Sequence, residues 1–203
     1  LTLNSIPSLV EEITFGDDFN QPIYENVLPP SLIKLKFGKN FNQHLGPGII
    51  PKSVKILILG SNQPWPAIFN NPILELVLDN NFNHPIGVND LPKTVEKLIF
   101  GDNFDQPVLL GTIPNSVKEL IFGMRFNQDI LRKSDCLDVI PNEVNILEFG
   151  FYFEHPVLPN TIPDSVQHLI VGNPVSFNSS NIPSSVYKFT FTGFSDLQPG
   201  QIP

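Results

Sequence analysis

Residues 91–108 read LPKTVEKLIFGDNFDQPV, and the rest of the 203-residue chain rewrites this phrase with changes that are small in the middle and larger at the ends. A fixed period constrains the fold more than composition does, because each copy must form one supersecondary unit that its neighbours complete. With the proline of each Ile-Pro or Leu-Pro pair as origin, copies start at Pro7, Pro29, Pro51, Pro92, Pro114, Pro141, Pro163 and Pro183, and Pro203 opens another. The dominant step is 22 residues, with 27 from Pro114 to Pro141 and 20 in the last two intervals. The 41-residue gap after Pro51 holds a degenerate copy near 66–87, in which Asn70 stands where proline belongs. Nine coils result, within a single domain spanning 1–203.

The columns within each coil are strict. Three residues after the origin stand Val10, Leu32, Val54, Ile73, Val95, Val117, Val144, Val166 and Val186. Six after it stand Ile13, Leu35, Leu57, Leu76, Leu98, Leu120, Leu147, Leu169 and Phe189; eight after it, Phe15, Phe37, Leu59, Leu78, Phe100, Phe122, Phe149, Val171 and Phe191. Positions six and eight have the period of two of a strand with one face inward. A glycine follows, as at Gly16, Gly38, Gly101 and Gly123, where a residue tolerant of positive φ would turn the chain out of the strand. Then comes Phe-Asn or a relative, as at Phe41-Asn42 and Phe104-Asp105. Two columns thus hold 12 of the 17 phenylalanines, which marks these rings as core layers. One coil cannot bury its own apolar face, so the coils must stack around a shared core. Each contributes a parallel strand of about five residues, and the return side is turns and extended chain with little or no helix. The origin proline lacks an N–H and stays outside the ladder.

Composition excludes more than it selects. The 21 prolines would suggest linkers if they were scattered, but at fixed intervals they are punctuation. A net charge of −8 argues against nucleic acid and anionic membrane as partners. The lone Cys136 permits no intramolecular disulfide. No apolar run approaches the ~20 residues of a membrane span, and the N-terminus carries no signal-peptide pattern, so the expected location is cytoplasmic.

The recurring V-x-x-L-x-F-G-x-x-F-N-Q-P-I resembles the FNIP repeat, a 22-residue relative of the leucine-rich repeat, most clearly at residues 7–23, 29–42, 92–108 and 114–130. The resemblance implies a mainly β, leucine-rich-repeat-like solenoid of the kind found in amoeboid eukaryotes and large DNA viruses (host-cell cytoplasm if viral). Members often carry an F-box, which would make the repeats the substrate-recognition arm of a ubiquitin-ligase adaptor; no F-box is visible in these residues. It also implies a buried asparagine ladder bonding backbone groups of neighbouring coils. Two columns compete for that role: Asn20, Asn42, Asn83 and Asn127, which belong to the motif, and Asn40, Asn62, Asn81 and Asn103.

Chemistry is harder to find. His84 and His155 share a column but lie three coils apart at about 4.8 Å per coil, too far to share a metal. His44 replaces a turn proline, His168 lies on a strand, and Cys136 sits in an insertion near 131–138 as an unreactive loop thiol. No nucleophile-elbow, phosphate-loop or metal-ligand motif is present, and the acidic pairs are neighbours in sequence rather than convergent. The chain reads as a non-enzyme with no catalytic residues, metal or cofactor.

What remains is the outward strand face. At position five Glu75, Lys97 and Glu119 fall on successive strands as unlike charges, worth roughly 0.2–1 kcal/mol per pair. At position seven Ile58, Val77, Ile99 and Ile121 form a run, with Ile170 further along. That run is either β-branched filling suited to a strand or an apolar stripe for an unknown protein partner. The leading expectation is a protein-interaction scaffold using Ile58, Val77, Ile99, Ile121, Ile170, Lys97 and Glu119. The rival is a self-assembling repeat protein, a monomer or weak homo-oligomer joined through ends that show no polar cap.

Overall fold

The computed structural model describes residue 2 and residues 5–60, 70–130, 139–173 and 177–193. Cys136 with its insertion, Asn62 and residues 66–69 of the degenerate coil lie outside the described residues.

Each coil supplies one strand: β1 (Glu12–Thr14), β2 (Lys34–Lys36), β3 (Ile56–Leu59), β4 (Glu75–Leu78), β5 (Lys97–Ile99), β6 (Glu119–Ile121), β7 (Ile146–Phe149), β8 (His168–Val171) and β9 (Lys188–Phe191). They pair in chain order into one nine-stranded sheet, parallel throughout, with like columns opposite one another, as in Leu98↔Leu120 and Leu120↔Leu147. The strands have three or four residues rather than five, because a turn closes in on each end. Among the described residues the one helical element is a 3-10 turn at Ser179–Asn181, and no helix is long and apolar enough to cross a membrane.

Among the described residues, three recurrent turns bend the coils. At the origin, the amide three residues on donates to the proline carbonyl, as from Leu32 to Pro29 and from Val117 to Pro114, both at 3.1 Å. After the strand, the Phe amide donates to the glycine carbonyl, as from Phe104 to Gly101 at 3.1 Å. On the return side, Val27 donates to Tyr24 at 3.3 Å and Thr161 to Leu158 at 3.1 Å.

The reason for the strand-end glycines differs from the sequence expectation. None of them has positive φ; the left-handed residues are Asn26, Gly48, Asn89, Gly111 and Asn160, each the third residue of a return turn. Such a turn needs φ > 0 there, which glycine and asparagine tolerate best. The strand-end glycines are required by stacking instead. A Cβ on Gly123 would strike the Gly101 carbonyl and lie 2.8 Å from Asp102 Cα, and Gly38, Gly60, Gly101 and Gly150 face the preceding coil in the same way.

The core is one continuous cluster running the length of the solenoid. In the central coil Leu91, Val95, Leu98, Phe100, Phe104 and Val108 are all buried. The two Phe columns stack as paired ring piles. Phe100 and Phe104 lie 4.3 Å apart within a coil, and Phe100–Phe122 and Phe104–Phe126 follow at 5.3 and 6.1 Å between coils, within 20° of parallel. A hydroxyl column two residues after the origin completes the frame. Ser116 Oγ donates to Val95 O at 2.7 Å and Ser165 Oγ to Val144 O at 2.6 Å, and Ser31, Thr94 and Ser185 bond likewise.

Candidate functional site, the outer face of the parallel sheet

With strand positions six and eight filled by core, positions five and seven point the other way. The register sets Ile58 beside Val77, Val77 beside Ile99, Ile99 beside Ile121, and Ile121 beside Glu148. All four aliphatic residues are half-buried, since neighbouring side chains on a parallel face cover one another's flanks. Ile170 lies beyond Glu148, on β8, so it is separated from that run by a carboxylate. At position five Lys97 Nζ pairs with Glu119 at 3.0 Å. Glu75 stands opposite Lys97 in the register, but the ammonium turns to the Glu119 side.

Glu148 is the departure in the position-seven row. Its carboxyl is half-buried, and burial first, then the negative charge of Glu119, raises its pKa above the ordinary glutamate value. The carboxyl is therefore harder to ionise in the folded chain than in the unfolded one. Below the ordinary glutamate range both folded and unfolded chains are protonated and no penalty exists. As pH rises through the raised pKa the fold loses that stability. Glu148→Gln is accordingly expected to melt above wild type at pH 7, with the gap closing as pH falls below the ordinary glutamate range. Paired thermal melts at the two pH values check this.

Beside Glu148 the post-strand turns also change character. The residue after the strand-end glycine is Asp17, Lys39 and Asp102 in earlier coils, with Asn80 after Asp79 in the β4 coil, but Met124 and Phe151 in the coils of β6 and β7, and Tyr152 follows Phe151. Met124 and Tyr152 remain about half exposed, at 50% and 48%, and Tyr152 meets the Phe151 ring edge-on at 5.3 Å. With Ile99, Ile121 and Glu148 they line a groove of about 540 Å³. Reading the columns for core residues missed Met124, Phe151, Tyr152 and Glu148. Their signal was the break in column chemistry over two successive coils.

The asparagine column of the motif carries repeated inter-coil bonds. Asn20 Oδ1 accepts from the Asn42 amide at 3.1 Å, Asn83 Oδ1 from the Asp105 amide at 2.9 Å, and Asn127 Oδ1 from the Glu154 amide at 2.9 Å. The side-chain oxygen is the working atom, so the carboxylate of Asp105 substitutes for it in accepting from Asn127 at 2.9 Å. Gln43 and Gln106 reinforce the same oxygens at 2.9 and 3.0 Å. Among the described residues the competing column contributes one side-chain pair between coils, Asn103 to Asn81 at 3.0 Å. These bonds do not run through the interior as a buried ladder would. Asn42 and Asn83 are exposed and Asn20 and Asn127 half-buried, because the Phe piles already fill the space inside.

The histidines are spread along the solenoid: His155 Nε2 lies 3.1 Å from Asn127 O, and His168 Nε2 lies 2.8 Å from Thr190 Oγ1. Among the described residues no three His, Cys, Asp or Glu side chains converge as metal ligands.

Known proteins place this geometry. The FNIP Repeat family model matches residues 1–40, 19–62, 41–78, 82–124, 104–137 and 126–174. Among solved structures, the chain is similar to CroV588, described as a novel circular LRR protein structure, at 34% identity and a TM-score of 0.73. The alignment covers 95% of this chain and 31% of CroV588, so the chain spans less than a third of that protein's length. No curated protein sequence matches. Solenoids of this type are typical of non-enzymatic repeat proteins and suit a protein-interaction or structural scaffold. A leucine-rich-repeat-like solenoid whose coils repeat the Phe-Asn phrase over most of its length, the chain belongs to the FNIP repeat family.

Proposed function

We propose that the chain is a protein-interaction scaffold that engages a partner protein through the outer face of its sheet. The observation that carries this reading is the in-register run Ile58, Val77, Ile99 and Ile121, a contiguous apolar strip on a face that the solenoid's own core does not use. Contiguous apolar surface of this kind commonly marks contact sites. Ile99→Ser combined with Ile121→Ser tests it. The double variant is expected to keep its circular-dichroism spectrum and lose little stability. Proteins that co-purify with wild type from the native cell are expected to be depleted from it in quantitative mass spectrometry. Undiminished recovery of those proteins would remove the face from consideration, and outright unfolding would mean the two isoleucines belong to the core.

A second reading is self-association. The circular form of CroV588 supports arcs of such coils meeting end to end. Light scattering over a hundredfold concentration range is expected to show mass growth on this reading. A constant monomer mass would eliminate it.

A further inference from the structure

The groove beside Glu148 is built from residues the repeat does not need. Position seven is aliphatic or β-branched in every coil except those of β2, where Lys36 stands, and β7, and a polar residue follows the strand-end glycine (Asp79 in the β4 coil) in the coils of β1 to β5. In the coil of β7 both patterns break, with Glu148 at position seven and Phe151 after the glycine, and in the coil before it Met124 breaks the second. Each break works against folding or solubility. A half-buried carboxylate is desolvated without compensation, and half-exposed Met and Tyr present apolar surface to water. Residues that depart together from what the fold favours, and that meet in one place, are expected at functional sites.

The groove's chemistry restricts what it can hold. Glu148 and Asp102 line it, and no lysine, arginine or histidine does so among the described residues. Glu119, the nearest carboxylate along the sheet, already has Lys97 at 3.0 Å, whereas the Glu148 carboxylate has no ion pair or hydrogen bond among the described residues. The floor at Ile99 and Ile121 is aliphatic, and the Met124 thioether and Tyr152 ring form a wall able to accept aliphatic stems or a guanidinium face. A volume of about 540 Å³ is of the size that receives a few side chains. A second copy of this chain is disfavoured as occupant, because each carries a net charge of −8.

We propose that this groove seats an extended peptide segment of a partner protein, with a lysine or arginine side chain against Glu148 and apolar neighbours over Ile99, Ile121 and Met124. This rests on the scaffold reading above and narrows it to one end of the face and one partner chemistry. A charge-assisted hydrogen bond to a partly desolvated carboxylate is about twice as strong as a neutral one, and the apolar walls that exclude water around it make it selective. The aliphatic run toward Ile58 then extends the contact rather than anchoring it.

A displayed library of random linear dodecapeptides, selected on the folded chain, supplies the probe. Enriched peptides are expected to share a Lys or Arg flanked by apolar residues. In fluorescence anisotropy their Kd should weaken about tenfold or more in Glu148→Gln and in Met124→Ser with Tyr152→Ser, while Glu75→Gln leaves it unchanged. Replacing the peptide's arginine by uncharged citrulline should weaken binding to wild type by a similar factor and change little further in Glu148→Gln. Loss of fold cannot produce this pattern in Glu148→Gln, because that variant is expected to be the more stable protein. Equal affinity of wild type and Glu148→Gln would overturn the proposal. If that equality came with peptides lost in Ile58→Ser, Val77→Ser, the scaffold reading would stand and the anchor would move along the sheet. No enrichment at all would overturn both. Dimerisation of the chain that depends on Glu148 would overturn the peptide assignment in favour of a second copy.

Discussion

Phe104→Ala is expected to lower stability by about 3–5 kcal/mol, read as a shift in urea midpoint at constant m-value. Phe104 is 1% exposed and stacks on three rings: Phe100 at 4.3 Å in its own coil, and Phe82 and Phe126 at 6.2 and 6.1 Å in the coils on either side. Removing its ring takes a layer out of the middle of a pile, and the parallel strands hold the neighbouring coils at a spacing that prevents collapse into the gap. The transfer loss and the cavity therefore add. For a chain of this length each kcal/mol corresponds to about 2–4 °C, so a melting shift near 10 °C is expected. Phe15→Ala, in the first coil, is the contrasting case. Its ring is only half-buried and has an inter-coil neighbour on one side, Phe37 at 5.4 Å, so its loss should be clearly smaller. If Phe104→Ala cost under 1 kcal/mol, the interior would not be a continuous stack.

Gly123→Ala is expected to be as damaging, for a different reason. The added Cβ would fall on the Gly101 carbonyl and lie 2.8 Å from Asp102 Cα. Both are backbone atoms, so no rotamer change makes room. The coils would have to part where they are held by the Phe100 amide on Ile121 O at 2.9 Å and the Arg125 amide on Asp102 O at 2.8 Å. Overpacking against immobile atoms costs about 1–3 kcal/mol and occasionally more, and the broken inter-coil bonds place this change at or above the top of that range. Gly16→Ala is the control within the same column. Among the described residues nothing lies within 4 Å of a Cβ there, and its φ is not positive, so its effect should stay within about 0.5 kcal/mol. Thermal melts of the two variants decide the matter. Equal losses would mean that backbone conformation, rather than the approach of the next coil, selects glycine.

Most of the frame was legible because its signals are local and repeated. The period-two placement of Leu98 and Phe100, copied at one interval, determines which face is inside, and equal coil lengths force like columns into register. Hence Glu75, Lys97 and Glu119 could be set side by side before any coordinates. The same columns named the asparagine positions whose oxygens reach the next coil. They could not say that Asn42 and Asn83 stay exposed, since that depends on how completely two Phe piles fill the interior.

The glycines show where column reading stops. Conformational freedom is what glycine most often supplies to a turn, so the strand-end column was expected to use it. Yet the left-handed residues are Asn26, Gly48, Asn89, Gly111 and Asn160, in the return turns. The Pro-Gly and Pro-Asn pairs at 47–48 and 159–160 signalled this locally. What the strand-end glycines respond to is the carbonyl of the coil before, an atom about 22 residues away in sequence. The groove at Glu148 has the same origin. Glu148, Met124 and Tyr152 are separate irregularities along the chain and become one lining only when the coils of β6 and β7 stack. The sequence by itself determined the repeat, the sheet and the division of inside from outside, because one coil's pattern suffices for each. The tertiary structure alone decided what stands between coils, because contacts across the stacking distance depend on two coils at once.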